Sequence, residues 1–248
     1  MQSVLNALRV LEEVAARQPI GVAELARVME LPKSSVQRAL QTLHAAGWLG
    51  PADGTPTRWQ VTAKALQIGR QATGELGLRD AAVPVMEELR RETGETIHLA
   101  VPEGGRVILV ERLETSQPVR IVLPLGQDLP AHASANGKAV LAASPPEVLE
   151  RYLADGLARY TDTTITEPRS LLEELAEVRR RGYATNGGEW RSDVSAVAAA
   201  VIGRLGVPVA SLSVNVPASR ATDASRAAHG VLVSAAAKRL GTVLGARG

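Results

Sequence analysis

Cysteine is missing from this 248-residue chain, and so is phenylalanine. Without cysteine there is no disulfide, no thiolate metal site and no cysteine nucleophile. With three tryptophans and three tyrosines as the whole aromatic complement, any core must be built from Leu, Val, Ile and Ala. Long apolar runs are missing too. The opening "MQSVLNALRVLEEVAARQP" carries charge throughout, so it reads as neither a signal peptide nor a membrane span. The run "VSAVAAAVIG" is too short to cross a bilayer and reads as a buried strand. A cytoplasmic protein is expected.

What is present is ordinary globular composition, 45% hydrophobic and 22% charged, and the length suits one or two domains. The net charge of +2 is unevenly placed. Residues 1–79 hold nine Lys/Arg against six Asp/Glu, a net of +3; the remainder holds nineteen against twenty, a net of −1. A weakly basic head points to a polyanionic partner.

The head reads as three helices and a hairpin. In residues 3–17, Val4, Leu8, Leu11 and Ala15 share a face, with Leu5 beside them. "VAELARVME" follows, with Val22, Leu25, Ala26 and Met29 at helical spacing. After Leu31-Pro32 comes "KSSVQRALQTLHAAG", whose stripe is Val36, Ala39, Leu40 and Leu43. "WLG" and "RWQV" read as short strands around a turn at Asp53-Gly54. The short break between the second and third helices is helix-turn-helix spacing.

On its polar side the third helix offers Ser34, Ser35, Gln37, Arg38, Gln41 and Thr42, and no carboxylate lies between Lys33 and His44. Hydroxyls, amides and a guanidinium suit phosphate oxygens and base edges in a major groove, where an acid would repel. Gln37, Arg38 and Gln41 are candidates for bases. Lys33, Ser34, Ser35, Thr42 and, from the hairpin beside Thr55 and Thr57, Arg58 are candidates for phosphates. A winged helix that binds protein is the alternative.

Residues 62–79 read as a linker helix. The body begins near Asp80 with the helix "DAAVPVMEELRRETG". Strands are expected at 95–101, 106–114, 118–123, 183–187, 195–203 and 208–216. Helices are expected near Ala135, at "SPPEVLERYL" with a capping box at Ser144 to Glu147, at 168–181 closed by Gly182, and at 219–245. The mixture is α+β.

The segment "HASANGKAVLA" gathers His132, Ser134, Asn136 and Lys138 around Gly137. As a catalytic site it lacks a nearby acid and a nucleophile elbow. A metal site would recruit His98, His132, His229 or Glu189 at spacings that match no standard ligand pattern. The structural alternative makes His132 a hydrogen-bonding residue, Ser134 a helix N-cap and Gly137 a close-packing position. A Ser-capped helix start with small side chains also suits a carboxylate or phosphate. No cofactor, metal or catalytic residue is expected.

Taken together, "LEEVAARQPIGVAELARVMELPKSSVQRALQTLHAAGWL", "LPAHASANGKAVLA", "RRRGYATNGGEW" and "SLSVNVP" resemble the IclR family of bacterial transcriptional regulators, in order and across nearly the whole chain. The resemblance implies a winged helix-turn-helix at 1–62, a linker helix at 63–79 and a GAF-like effector domain at 80–248. It implies a repressor, dimeric or a dimer of dimers, on a palindromic DNA operator, controlled by a small-molecule effector; the asparagines and the Ser-capped helix start point to a small polar metabolite, a carboxylate foremost. The alternatives are an activator of a catabolic operon and an enzyme with a DNA-binding head. The family's pocket, carried over, implies a floor of Ala135 and Asn136, with Asn186, Val194, Ala196, Ser213 and Asn215 from strands and Val119 and Ile121 as an apolar wall. Asn186 stands where the family often has an acid, and Ala196 where it often has cysteine.

Overall fold

The computed structural model describes residues 2–52, 57–72 and 77–246. The chain forms two compact units, Met1–Leu76 and Gly77–Gly248.

In the first unit, α1 (Gln2–Arg17), α2 (Val22–Val28) and α3 (Lys33–Ala45) surround a core that includes Val10, Val14, Ile20, Leu25, Val36, Leu40, Leu43 and Trp59. The strands β1 (Ile20–Gly21), β2 (Leu49–Ala52) and β3 (Arg58–Val61) form an antiparallel sheet in the order β1-β3-β2. The stripes expected on α2 and α3 are the buried ones. On α1 the buried face differs: Val10 and Val14 are covered, with Ala7 and Leu11 packed alongside, while Val4, Leu5 and Leu8 are exposed. The helix carries two apolar stripes, and the unit covers one of them. The bend at Asp53-Gly54, and Thr55 with it, lies outside the described residues. The helix expected at 62–79 is α4 (Lys64–Ala72), and its last expected residues belong to α5 (Leu78–Thr93).

The second unit is built on a six-stranded antiparallel sheet, ordered β6-β5-β4-β9-β8-β7. Its strands are β4 (Thr96–Glu103), β5 (Arg106–Leu113), β6 (Asp128–Leu129), β7 (Ala184–Gly187), β8 (Val194–Ile202) and β9 (Pro208–Pro217). Side chains alternate between the two faces of each strand. Ile97, Leu99, Val197, Val201, Leu212 and Val214 point to one face and pack with Met86 and Leu89 of α5 and with Val233 and Leu240 of α9 (Asp223–Ala246). The opposite face presents Thr96, His98, Ala196, Ala198, Ser211, Ser213 and Asn215, in register across β4, β9 and β8. These residues are small or polar, and the helix α6 (Ala135–Ala143) settles on them, buried from Ala135 to Ala142. The helices α7 (Pro146–Ala154) and α8 (Pro168–Arg181) complete that layer.

Two local expectations are corrected. Residues 118–123 form no strand. There Arg112 donates to the Leu123 carbonyl and Arg120 pairs with Glu114 at 2.8 Å, so the segment is an irregular excursion, and Asp128–Leu129 supplies the edge pairing on β5. Ser144 does not cap α7. Its hydroxyl donates back to the Val140 carbonyl at 2.8 Å, and α7 starts behind Pro145 with no side-chain cap. At the end of α8, Gly182 adopts φ 84°, the left-handed closure that glycine allows.

Gly137 is required by proximity. A Cβ there would lie 2.2 Å from Cα of Ala131 and 2.4 Å from its carbonyl oxygen. The obstacle is backbone, which cannot turn aside. Gly137→Ala should therefore cost about 3 kcal/mol or more, at the upper end of overpacking effects, read as a lowered midpoint in urea unfolding.

Candidate functional site

Two surfaces carry chemistry, one in each unit. In the first unit, α3 follows a tight turn in which Leu31 N–H donates to the Ala26 carbonyl at 3.1 Å and Ser35 N–H to that of Pro32 at 2.9 Å. Pro32 caps the helix with no side-chain acceptor, so the helix start presents donors and a positive dipole end beside the Lys33 ammonium. Lys33, Ser34, Arg38, Gln41 and Thr42 are exposed; Ser35 and Gln37 are half-buried. Thr42 Oγ1 donates to the Arg38 carbonyl at 2.9 Å. Arg58 departs from its expected place. Its Nε donates to the Pro19 carbonyl at 2.8 Å and its Nη2 to Glu24 at 3.2 Å, so the guanidinium ties β3 to α2 instead of standing free at the wing.

In the second unit, the start of α6 closes over the polar face of the sheet. Ser134 caps the helix, its Oγ accepting from Gly137 N–H at 3.0 Å. The N–H groups of Ala135 and Asn136 have no acceptor among the described residues. Beneath them lies a cavity of about 20 Å³ lined by His98, Leu123, Leu129, Ser134, Ala135, Asn136, Asn186, Trp190, Arg191, Val194, Ala196 and Asn215. That is room for roughly one water molecule. An open groove of about 420 Å³, bordered by Arg106, Tyr152 and Tyr160, shares Leu129 and Trp190 with it.

The asparagines differ in what they leave free. Asn186 is held at both ends: it donates to the Ala133 carbonyl at 2.5 Å and accepts from the N–H of Gly188 at 2.9 Å and of Glu189 at 3.0 Å. It shapes the turn after β7. Asn136 bonds Ser211 Oγ at 3.0 Å, and Asn215 bonds Ser213 Oγ at 2.9 Å. Both Nδ2 groups also donate to backbone carbonyls, Asn136 to that of Ser211 at 3.5 Å and Asn215 to those of Ser213 at 3.4 Å and Thr96 at 3.5 Å, and a carbonyl only accepts, so each amide keeps its NH₂ toward the sheet.

Of the expected pocket residues, Ala135, Asn136, Asn186, Val194, Ala196 and Asn215 line the cavity together. Ser213 stands behind it as partner to Asn215. Val119 is 62% exposed, because the strand meant to carry it does not form, and Ile121 joins the core without reaching the cavity. Leu123 and Leu129 are the apolar wall instead. Trp190 and Arg191 were missed because they follow an asparagine turn that the sequence does not mark as facing inward.

The histidines divide by environment. His132 has Nε2 2.8 Å from the Ala158 carbonyl, so that nitrogen carries the proton, and Nδ1 accepts from Tyr152 Oη at 2.7 Å. Burial lowers its pKa, opposed by the Ala158 bond. Both ring nitrogens are thus spent within the fold. Glu189, once a possible metal ligand, instead holds Lys138 Nζ at 2.7 Å and 2.9 Å. His98 is 1% exposed, and its Nε2 has no hydrogen-bond partner. Burial, with help from the Arg112 charge, pushes its pKa down to about 4.

Known proteins match this arrangement. The family model for the IclR helix-turn-helix domain matches residues 3–51, and that for the C-terminal part of bacterial IclR regulators matches residues 70–242. The regulator BhcR of Paracoccus denitrificans is 34% identical over 95% of this chain and 84% of its own length. The repressor IclR of Escherichia coli is 31% identical over 97% and 89%. Among solved structures, an IclR homolog from Microbacterium hydrocarbonoxydans in complex with 4-hydroxybenzoate superposes with a TM-score of 0.84 at 27% identity, covering 98% of this chain and 99% of that one.

The depressed pKa of His98 has a measurable consequence. An unfolded chain takes up this proton near pH 6.5, the folded one only near pH 4, so stability is lost as pH falls through that window. At 1.36 kcal/mol per unit the full effect is about 3 kcal/mol. His132 and His229, also lowered by burial, act in the same direction. Urea unfolding at pH 7 and pH 4.5 should show the loss, and His98→Gln should make it smaller.

Proposed function

The chain belongs to the IclR family of bacterial transcriptional regulators, and on that premise we propose that it represses transcription from a near-palindromic operator under the control of a small polar acid. The observation that carries the DNA reading is the exposed face of α3, which offers Lys33, Ser34, Arg38, Gln41 and Thr42 with no carboxylate between Lys33 and His44. A helix so furnished can lie in a major groove, with Gln37, Arg38 and Gln41 toward bases and Lys33, Ser34, Ser35 and Thr42 toward phosphates. Arg58 is left out of this set, because it serves the fold of the head.

A symmetric operator calls for paired heads. The uncovered stripe of Val4, Leu5 and Leu8 on α1, with Leu66 and Ile68 exposed on α4, supplies apolar surface for pairing with a second copy, as a dimer or a dimer of dimers. Among the described residues no helix is long and apolar enough to cross a membrane.

The effector is assigned to the cavity under α6, with its carboxylate at the free N–H groups of Ala135 and Asn136. At about 20 Å³ the cavity admits about one water molecule, so any acid must part its walls, and an acid of few atoms needs the least parting. The acid can change DNA affinity only as far as it binds one arrangement of the paired heads better than the other.

Electrophoretic mobility and fluorescence anisotropy on the duplex upstream of its own gene test the reading. Binding should weaken steeply with salt. Arg38→Ala should cost about 1–3 kcal/mol and relax sequence preference, whereas Lys33→Ala should weaken operator and random DNA alike and lower the salt slope by about one. Affinity that is indifferent to salt and sequence would overturn the proposal.

A further inference from the structure

Among the described residues of the second unit, one buried side-chain nitrogen or oxygen has no hydrogen-bond partner, and it is His98 Nε2. The neighbouring polar side chains, on the sheet and on α6 above it, have partners from the chain. Asn136 has Ser211, Asn215 has Ser213, Asn186 has Ala133, and Thr96 Oγ1 accepts from Thr115 N–H at 3.3 Å. His98 stands on β4 opposite Ser213 of β9 and lines the cavity that the start of α6 closes. Buried polar groups are ordinarily bonded, so an orphan on a cavity wall marks a place for a guest.

Resting on the reading of this cavity as the effector site, we propose that His98 is its specificity-determining residue, pairing through the imidazole with a second oxygen of the effector, a hydroxyl or carbonyl, while the carboxylate lies at the N–H groups of Ala135 and Asn136. The division follows from the charges. The helix end is the favourable seat for an anion. The imidazole, kept neutral by burial and by the Arg112 charge, gives an ordinary dipolar bond suited to an uncharged oxygen. Depending on tautomer it donates to a carbonyl or accepts from a hydroxyl. A ligand without that oxygen leaves Nε2 unpaired and is rejected for that reason, the way polar sites reject analogues that lack a hydroxyl.

Titration calorimetry on the full chain tests this with two matched pairs, lactate against propionate and glycolate against acetate. The wild type should bind the hydroxy member at least tenfold more tightly. His98→Leu should lose the preference while binding propionate and acetate within a few-fold of wild type, and His98→Gln should keep part of it. In protein labelled with ¹⁵N-histidine, lactate should move the Nε2 resonance of His98 and propionate should not. Equal affinity within each pair, a preference that survives in His98→Leu, or an unmoved resonance with lactate bound overturns the proposal. Asn136→Asp, which sets a carboxylate at the helix start, separates the two readings. If it abolishes binding of all four acids while His98→Leu keeps the preference, the role of His98 falls and the cavity stands. If all four bind Asn136→Asp as they bind wild type, or none binds wild type, the cavity falls and His98 with it.

Discussion

Lys138 lies in the second turn of α6 at 1% exposure, its ammonium between Glu189 and, at 3.4 Å, Glu174. A charge taken that far from water costs several kcal/mol unless its partners are close and well placed. Burial raises the pKa of Glu189, and the Lys138 charge and its hydrogen bonds oppose the rise. Glu174 belongs to α8 and is held in turn by Arg181 at 2.9 Å. Glu189 precedes Trp190 and Arg191, both on the cavity wall. The charge cluster therefore fixes three things together: the depth of α6, the seat of α8, and the stretch of chain that closes the cavity.

On the proposed reading, DNA recognition by α3 and metabolite sensing in the cavity make opposite demands on polar groups. On α3 the groups must stay unspent, because phosphates and bases compete with any internal partner. Lys33 and Arg38 form no ion pair among the described residues, whereas Arg58, which does, has become part of the head's frame. In the cavity nearly every polar group is spent on a neighbour. That leaves little to bind with, but what remains is fixed in position before a ligand arrives, so less ordering is needed on binding.

Much of this was legible in the sequence. Helical periodicity located α2, α3 and α8, and Ser134, Gly137 and Gly182 announced their tasks because capping, close packing and left-handed closure each favour particular residue types. Six of the nine implied pocket residues line one cavity. The failures share a cause. Val119 was placed on a strand because "VRIVLP" is rich in β-branched residues, but a carbonyl bond from Arg112 and the pairing of Asp128–Leu129 on β5 decide that segment. Val4 and Leu8 looked like core because a single helix cannot say which of its two stripes a neighbour will cover. His98 carried no signal beyond its identity: that its ring nitrogen is orphaned depends on β9, more than a hundred residues away.

The two faces of the large sheet have a consequence for how such a protein diverges. Along β8 and β9 alternate residues serve different masters, the hydrocarbon layer under α5 and α9 or the strip beneath α6. With the effector seated as proposed, a descendant could be retuned to another metabolite by altering every second letter of these strands while the intervening letters preserve the architecture. Chemical preference and scaffold are thus inherited on interleaved tracks of one stretch of gene, and drift in the first need not erode the second.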